Sequence, residues 1–339
     1  MVEIDGAYGE GGGQIVRAAL FFSIALNKPF RVVNIRKGRR KPGLKRQHLN
    51  IIKTLLKISE SEAVGAELGS TELEFYPGRV KGGRCVIDFK TAGSIPLYLQ
   101  TLLPVLLFLE KDLRLEVKGG TDVPMGPTMD FTRFAFSPFV RDSGADFEVA
   151  VIRRGFYPEG GGVVVVSAGK GALNSSPLKI ERKNLKKVTL YSVASRSLKG
   201  RKVAHRQLIS AERFVKERLN LEVNGHFSYE DSPSPGSAVT IVAEFEGKAV
   251  VSSDALGAPG KPSEKVGREA AERFAEGFLS GASVDVHLAD HLVPLIALRG
   301  GGYTVSHVTK HLETAVWVAN KFVPDRVRMD GRKITAVKG

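Results

Sequence analysis

Three glycine triplets, at residues 11–13, 160–162 and 300–302, punctuate this chain, and a motif returning at wide intervals argues for a structural unit used more than once. A related stretch, "EFYPGRVKGG", begins at Glu74. Between these signals, β-rich runs ("FRVVNIR", "LRLEVKGG", "VVVVSAG") alternate with helical patterns such as Leu44, Ile51, Ile52 and Leu55 behind Pro42, a position that suits a helix start. At 339 residues the chain also exceeds what one ordinary core supports. The expectation is an α/β (α+β) protein of three comparable units. From about Lys186 to about Glu276 the rhythm pauses. A basic run "ERKNLKKVTLYS" leads into a helix near Arg206 to Leu219, and the loop "EDSPSPGSA" precedes the strand "VTIVAEFEG", which reads as a small α/β insertion. Helical spacing through Val266, Ala270, Phe274 and Phe278 then returns the chain to the repeated architecture. Residues 1–185 and 277–339 are thus expected to form the large domain and 186–276 the inserted one.

The first triplet carries the most chemistry. In "GEGGGQIVR", Gly9 to Arg17, glycines open a helix whose face is Ile15, Ala18, Ala19, Phe22 and Leu26. A helix N-terminus offers free N–H groups to a phosphate, and Arg17, about one turn in, can reach the same anion. Glu10 fits beside phosphates if a divalent cation lies between them, because Mg²⁺ is commonly held by one or two carboxylates plus phosphate oxygens. Taken alone, the cluster reads better as a structural strand-to-helix turn with a solvated glutamate.

Charge favours an anionic partner: 50 Lys and Arg against 36 Asp and Glu leave +14, with a pI of about 9.8. A single cysteine, Cys85, suits a small core position in a reducing, cytoplasmic setting. The acidic N-terminus "MVEIDGAYGE" has no secretory core, and "IPLYLQTLLPVLLFLE" from Ile95, interrupted by Gln100 and Pro104, is a buried helix too short to span a bilayer.

A second basic element, "NIRKGRRKPGLKRQH", sets Arg36, Arg39 and Arg40 before a helix start, where guanidinium forks suit phosphate oxygens. Of seven histidines, four fall in "HLADHLVP" (His287, His291) and "SHVTKHLET" (His307, His311). Spacing i, i+4 raises a metal site with Asp290, but neither pair has the H-E-x-x-H glutamate. A neutral imidazole is also a competent nucleophile near pH 7. Gln100, an amide in an apolar helix, needs a partner in the core or in a ligand, and Pro127 in "GGTDVPMGPTMDF" reads as a helix-start proline.

Taken together, "DGAYGEGGGQIVRAAL", "IRKGRRKPGLKRQH", "AGSIPLYLQTLLP", "GGTDVPMGPTMDF", "RGFYPEGGG", "HLADHL" and "TVSHVTKHLETA" resemble the RNA 3′-terminal phosphate cyclase family, in order and from Asp5 to about Val323. The resemblance implies a large domain of three repeated βαβαββ-like units, akin to the enolpyruvyl transferase fold, with a small thioredoxin-like domain inserted. It also implies that His311 is the nucleophile, that Glu10 is the metal-associated glutamate, and that Arg17, Arg36 and Arg39 contact phosphates. Gln100 matches a nucleotide-contacting glutamine and Pro127 the proline that packs on adenine. Residues His287, Leu288, Ala289, Asp290 and His291 match a nucleotide-binding stretch whose common form is Tyr-Leu-Ala-Asp-Gln, with His287 and His291 departing from it. Ala315 stands where an asparagine is common, and the aromatic that the insertion usually lends to adenine has no evident counterpart.

The implied activity is ATP-dependent conversion of an RNA 3′-phosphate to a 2′,3′-cyclic phosphate. It proceeds through a covalent histidine-AMP intermediate and an activated RNA end, with Mg²⁺ or Mn²⁺ assisting. The 2′-hydroxyl requirement explains RNA over DNA. The alternative within the family is a non-enzymatic, cyclase-like protein acting in ribosomal RNA processing, although such members do not show the histidine. A histidine metal hydrolase, an enolpyruvyl transferase and a plain RNA-binding module are the further rivals.

Overall fold

The computed structural model describes residues 1–337, and within them one succession of elements occurs three times. The first unit is β1 (Val2–Asp5), α1 (Gln14–Leu26), β2 (Phe30–Val33), α2 (Arg46–Ile58), β3 (Glu62–Val64) and β4 (Leu73–Tyr76). The second is β5 (Gly83–Asp88), α3 (Ile95–Val105), β6 (Leu113–Gly119), the short helices α4 (Met129–Phe131) and α5 (Ser137–Asp142) joined by a π-turn, β7 (Phe147–Arg153) and β8 (Gly162–Ala168). The third begins with β9 (Leu178–Lys179) and is then interrupted. The interrupting segment contains β10 (Leu185–Ser195), α6 (Val203–Leu219), β11 (Asn224–Glu230), β12 (Ser237–Phe245), β13 (Val250–Leu256) and α7 (Ser263–Leu279). The unit resumes with α8 (Val286–Arg299), β14 (Gly301–Thr304), α9 (Lys310–Phe322), β15 (Val327–Asp330) and β16 (Lys333–Ala336).

Each unit closes its own four-stranded sheet, in the orders β1-β2-β4-β3, β5-β6-β8-β7 and β9-β14-β16-β15. In all three the first pair is parallel and the other two antiparallel. The interrupting segment forms a fourth sheet, β11-β10-β12-β13, with one parallel and two antiparallel pairs but a different chain order. Its helices α6 and α7 pack together on one face, so α7, whose Val266, Ala270 and Phe274 are buried as the spacing predicts, lies on the inserted sheet and not among the repeated units.

The glycine triplets do not occupy equivalent places in the repeat. The first lies between β1 and α1, the second joins β7 to β8, and the third runs from the end of α8 into β14. Gly161 is met by Pro233 of the insertion, while Glu159 N–H donates to Ser234 Oγ, so the second triplet is a docking seat. Gly301, at φ +106°, lets β9 pair closely with β14.

The first helices of the three units, α1, α3 and α8, pack on one another, with α9 against α1 and α8. Helix α3 is buried almost throughout, and Cys85 lies in the core of β5, where burial raises its thiol pKa. Among the described residues no helix is long and apolar enough to cross a membrane. Helix α2 starts at Arg46, not at Pro42: the backbone needs a turn first, closed by Gly43 N–H donating to Ile35 O, and Leu44 enters the core ahead of the helix.

Candidate active site

The first glycine turn, α8 and the start of α9 converge on His311. Gly9 and Gly11 adopt φ of +58° and +55°, a conformation costly for other residues, and a Cβ on Gly9 would lie 2.8 Å from Thr314 Oγ1 of α9. The turn is held there by Tyr8, whose ring stacks on Trp317 of α9 at 3.9 Å and 5°. Thr309 caps α9 by accepting from Leu312 N–H, which leaves His311 exposed in the first turn. Its Nε2 lies 3.7 Å from Glu10 Oε2, and Arg39 approaches the same oxygen at 3.5 Å. Gln14, the first residue of α1, donates from Nε2 both to His311 O at 2.8 Å and to Asp290 Oδ2 at 3.0 Å. One amide therefore ties three elements together.

Beneath this cluster a narrow, solvent-open cleft lies among α1, α3, α8 and α9. Gln14, Arg17, Gln100, Asp290 and His291 supply its polar wall, and Ala315 also lines it. Arg17 is half-buried; burial lowers its guanidinium pKa and Asp290 opposes the change. His291 packs edge-on against Phe136 at 5.8 Å, and burial lowers its pKa, so it is neutral around pH 7. Gln100 is 7 % exposed, and neither its amide oxygen nor its nitrogen has a partner among the described residues. An unpaired buried amide costs about 1–3 kcal/mol, and here it faces a cavity a ligand can fill.

The remaining expected residues distribute around this centre. Arg36 sits at φ +57° beside Arg39, donating to Lys41 O, and burial lowers its pKa ahead of Arg39's repulsion. Leu288 and Ala289 are fully buried in the core side of α8, where Ala289 O accepts from Tyr303 Oη; they position Asp290 and do not line the cavity. His287 opens instead onto a second, solvent-open cavity shared with His307 and with Asp254 of β13. Pro127, half-buried, stands just before Thr128, the cap of α4, whose N–H donates to Asp254 Oδ2. His287 and His291 do lie one turn apart on α8, whereas His307 precedes α9, so the second pair shares no helix face. Among the described residues no three His, Cys, Asp or Glu side chains cluster as a metal site.

Two members of the site were not singled out from the sequence. Gln14 was legible only as a polar residue opening an apolar helix. His48 of α2 is fully buried against Gly13, where a Cβ would collide with its Nε2. Its Nδ1 accepts from Lys45 N–H at 3.0 Å, and burial first, then Arg17, Arg36 and Lys45, push its pKa down to about 3. These cations and the open N-terminus of α1 form a strongly electropositive corner beside Glu10.

A model of the RNA 3′-terminal phosphate cyclase family matches residues 8–329. A relative from Staphylothermus marinus named RNA 3′-terminal phosphate cyclase is 40 % identical, covering 98 % of this chain and 95 % of its own. Relatives of the same name from Saccharolobus solfataricus (37 % identical; 98 % and 97 % covered) and Hyperthermus butylicus (40 %; 96 % and 92 %) agree along nearly their whole lengths. The shared sequence spans all three units and the insertion alike, and the chain belongs to the RNA 3′-terminal phosphate cyclase family.

Proposed function

We propose that this protein converts an RNA 3′-phosphate into a 2′,3′-cyclic phosphate at the expense of ATP, with His311 as the nucleophile. The observation that carries the reading is the convergence of an exposed imidazole, a carboxylate and an arginine on one glycine turn, above a cavity lined by Arg17 and the unpaired Gln100. In the first step His311 Nε2 attacks the α-phosphorus of ATP; a P–N bond forms, the P–O bond to pyrophosphate breaks, and pyrophosphate leaves. The RNA 3′-phosphate then attacks the same phosphorus, breaking the P–N bond and giving an RNA-(3′)pp(5′)A end. Attack of the neighbouring 2′-hydroxyl on the 3′-phosphorus closes the ring, expels AMP and releases the hydroxyl proton.

Each step builds negative charge on phosphorus oxygens, which in this reading Arg17, Arg36, Arg39 and the N–H groups of α1 stabilise; their clustering around His48 and Glu10 supports it. The bond from Gln14 to His311 O holds the helix turn carrying the nucleophile. Pro127, His287, Leu288, Ala289, Asp290 and His291 belong in this reading to the nucleotide site, by contact or by support. Glu10 suits Mg²⁺ or Mn²⁺ as a lone carboxylate ligand whose remaining partners are phosphate oxygens and water, and such an ion would neutralise phosphate charge. Residues 1–185 and 277–339 are taken as the catalytic domain and 186–276 as the inserted one, the second division falling near the end of α7.

The test is incubation with ATP labelled on the α-phosphate and a divalent metal, followed by a denaturing gel. Label that stays on the protein, survives alkali, is lost in acid and disappears in His311→Ala but not His307→Ala supports the mechanism. No label on folded wild-type protein overturns it in favour of a non-enzymatic role in RNA processing.

A further inference from the structure

The second cavity raises a question the reaction scheme leaves open: what its carboxylate is for. Asp254 lies on β13 of the inserted sheet, yet it faces away from that sheet's own core toward α8 and the turn before α4. Of the other polar groups, Glu276, His287 and His307 also line this cavity, on the side of α7, α8 and the turn before α9, whereas the groups beside Asp254 on its own strand and at the start of α8 are engaged. Asp285 accepts from the N–H groups of His287 and Leu288 through Oδ1 and from Ser252 N–H and Oγ through Oδ2, while Ser253 Oγ donates to Ala270 O. Asp254 spends Oδ2 on Thr128 N–H at 2.9 Å, and Arg273 Nη1 donates to its backbone carbonyl and not to its side chain. Its Oδ1 accepts from no described group. Asp254 is half-buried at the cavity wall; burial raises the pKa of this carboxyl, with Thr128 and His287 opposing, and the oxygen that faces the cavity has acceptor capacity left for a donor.

The position relative to the reacting atoms gives the donor its identity. His287 and His291 lie one turn apart on α8, about 6 Å along its axis, and they line the two cavities in succession. A nucleotide is longer than one helical turn, so a phosphate held by Arg17 and His311 carries its base past His291 toward His287 and Asp254. Thr128 links the same carboxylate to Pro127. Bases differ at the edge such a group would meet: adenine presents an amino donor at position 6, and guanine and hypoxanthine present a carbonyl acceptor. A carboxylate opposite a carbonyl leaves two acceptors facing each other without a proton.

We propose that Asp254 is the base-selecting residue of the nucleotide site, its free Oδ1 accepting a hydrogen bond from the exocyclic 6-amino group of adenine. The inserted sheet thereby takes part in choosing the nucleotide, although the nucleophile, the arginines and Glu10 all lie outside it. This rests on the nucleotide-transfer reading above.

The experiment measures kcat/KM for the first step with ATP, and with inosine triphosphate, which replaces the 6-amino group by a carbonyl and N1 by N1–H, in the full chain. Wild type, Asp254→Asn and Asp254→Ala are compared. Asparagine keeps an acceptor for Thr128 N–H and offers an amino donor to the carbonyl, so the preference for ATP falls by about tenfold or more, with gain on inosine triphosphate. Alanine loses ATP efficiency without that gain. If Asp254 serves only to hold the Pro127 turn, both variants lose efficiency with the two nucleotides in proportion; an unchanged ratio overturns this inference and leaves the nucleotide-transfer reading standing. Wild-type protein that takes label from neither nucleotide overturns both.

Discussion

Replacing Gln100 by methionine, which matches its length and removes its polar atoms, separates the cost of the site from its use. The amide is 7 % exposed, both polar atoms lack partners, and they face the cavity beside Arg17 and His291. Restoring an apolar side chain there relieves about 2 kcal/mol of unpaired desolvation. For 339 residues the unfolding entropy is about 0.7 kcal/mol/K, so the melting temperature of the nucleotide-free protein rises by about 3 °C. ATP, which binds only the folded state, raises the wild-type melting temperature in proportion to its affinity. In Gln100→Met that increment shrinks while KM for ATP rises. Scanning calorimetry of both proteins, with and without ATP, reads all of this in one series. A variant less stable than wild type by 1 °C or more refutes the reasoning about the orphaned amide, and an unchanged ATP increment refutes its role toward the nucleotide.

Two further perturbations test the surroundings. His48 is held neutral by burial and by Arg17, Arg36 and Lys45, with a pKa of about 3 against 6.5 unfolded. Its contribution is therefore intact above pH 6.5 and is lost as pH falls toward 3, because only the unfolded chain takes up the proton; between pH 7.5 and 5.0 it costs about 2 kcal/mol. Urea unfolding should show that fall in wild type and a flatter profile in His48→Asn, and parallel profiles would refute it. Arg154 is buried between Asp122, Asp130 and Glu230 of β11, at 3.1, 2.9 and 3.0 Å, joining the second unit to the inserted sheet. Arg154→Met should cost about 3–5 kcal/mol at neutral pH by leaving the buried Asp122 without its counter-charge, and less at pH 5, because burial raises the pKa of that carboxyl and favours its protonated form; equal losses at both pH values would count against that account.

Much of the architecture was readable because it depends on local periodicity. The apolar face of α1, the buried run of α3 and the stripe of α7 each stand in the sequence as spacing, and each is a helix in the structure. The glycine triplets were a truer sign than their placement warranted: the chain does repeat, but the triplets serve a tight turn against α9, a docking seat and a strand pairing, three separate demands for backbone without side chains. Pro42 misled because a turn and Leu44 intervene before α2. The two histidine pairs looked alike until the fold put one on a helix and split the other across its start.

By itself the sequence determined which residues can do chemistry and which local elements carry them: the glycine turn opening a helix, the basic cluster, the histidines, and the apolar helix containing one amide. These follow from side-chain chemistry and short-range sterics. Only the tertiary structure decided which of them meet. Glu10 and His311 lie at opposite ends of the chain, brought within 3.7 Å because three copies of one unit pack their first helices together. His48, Gln14 and Asp254 acquire their significance from burial and from neighbours distant in sequence, which no local pattern encodes.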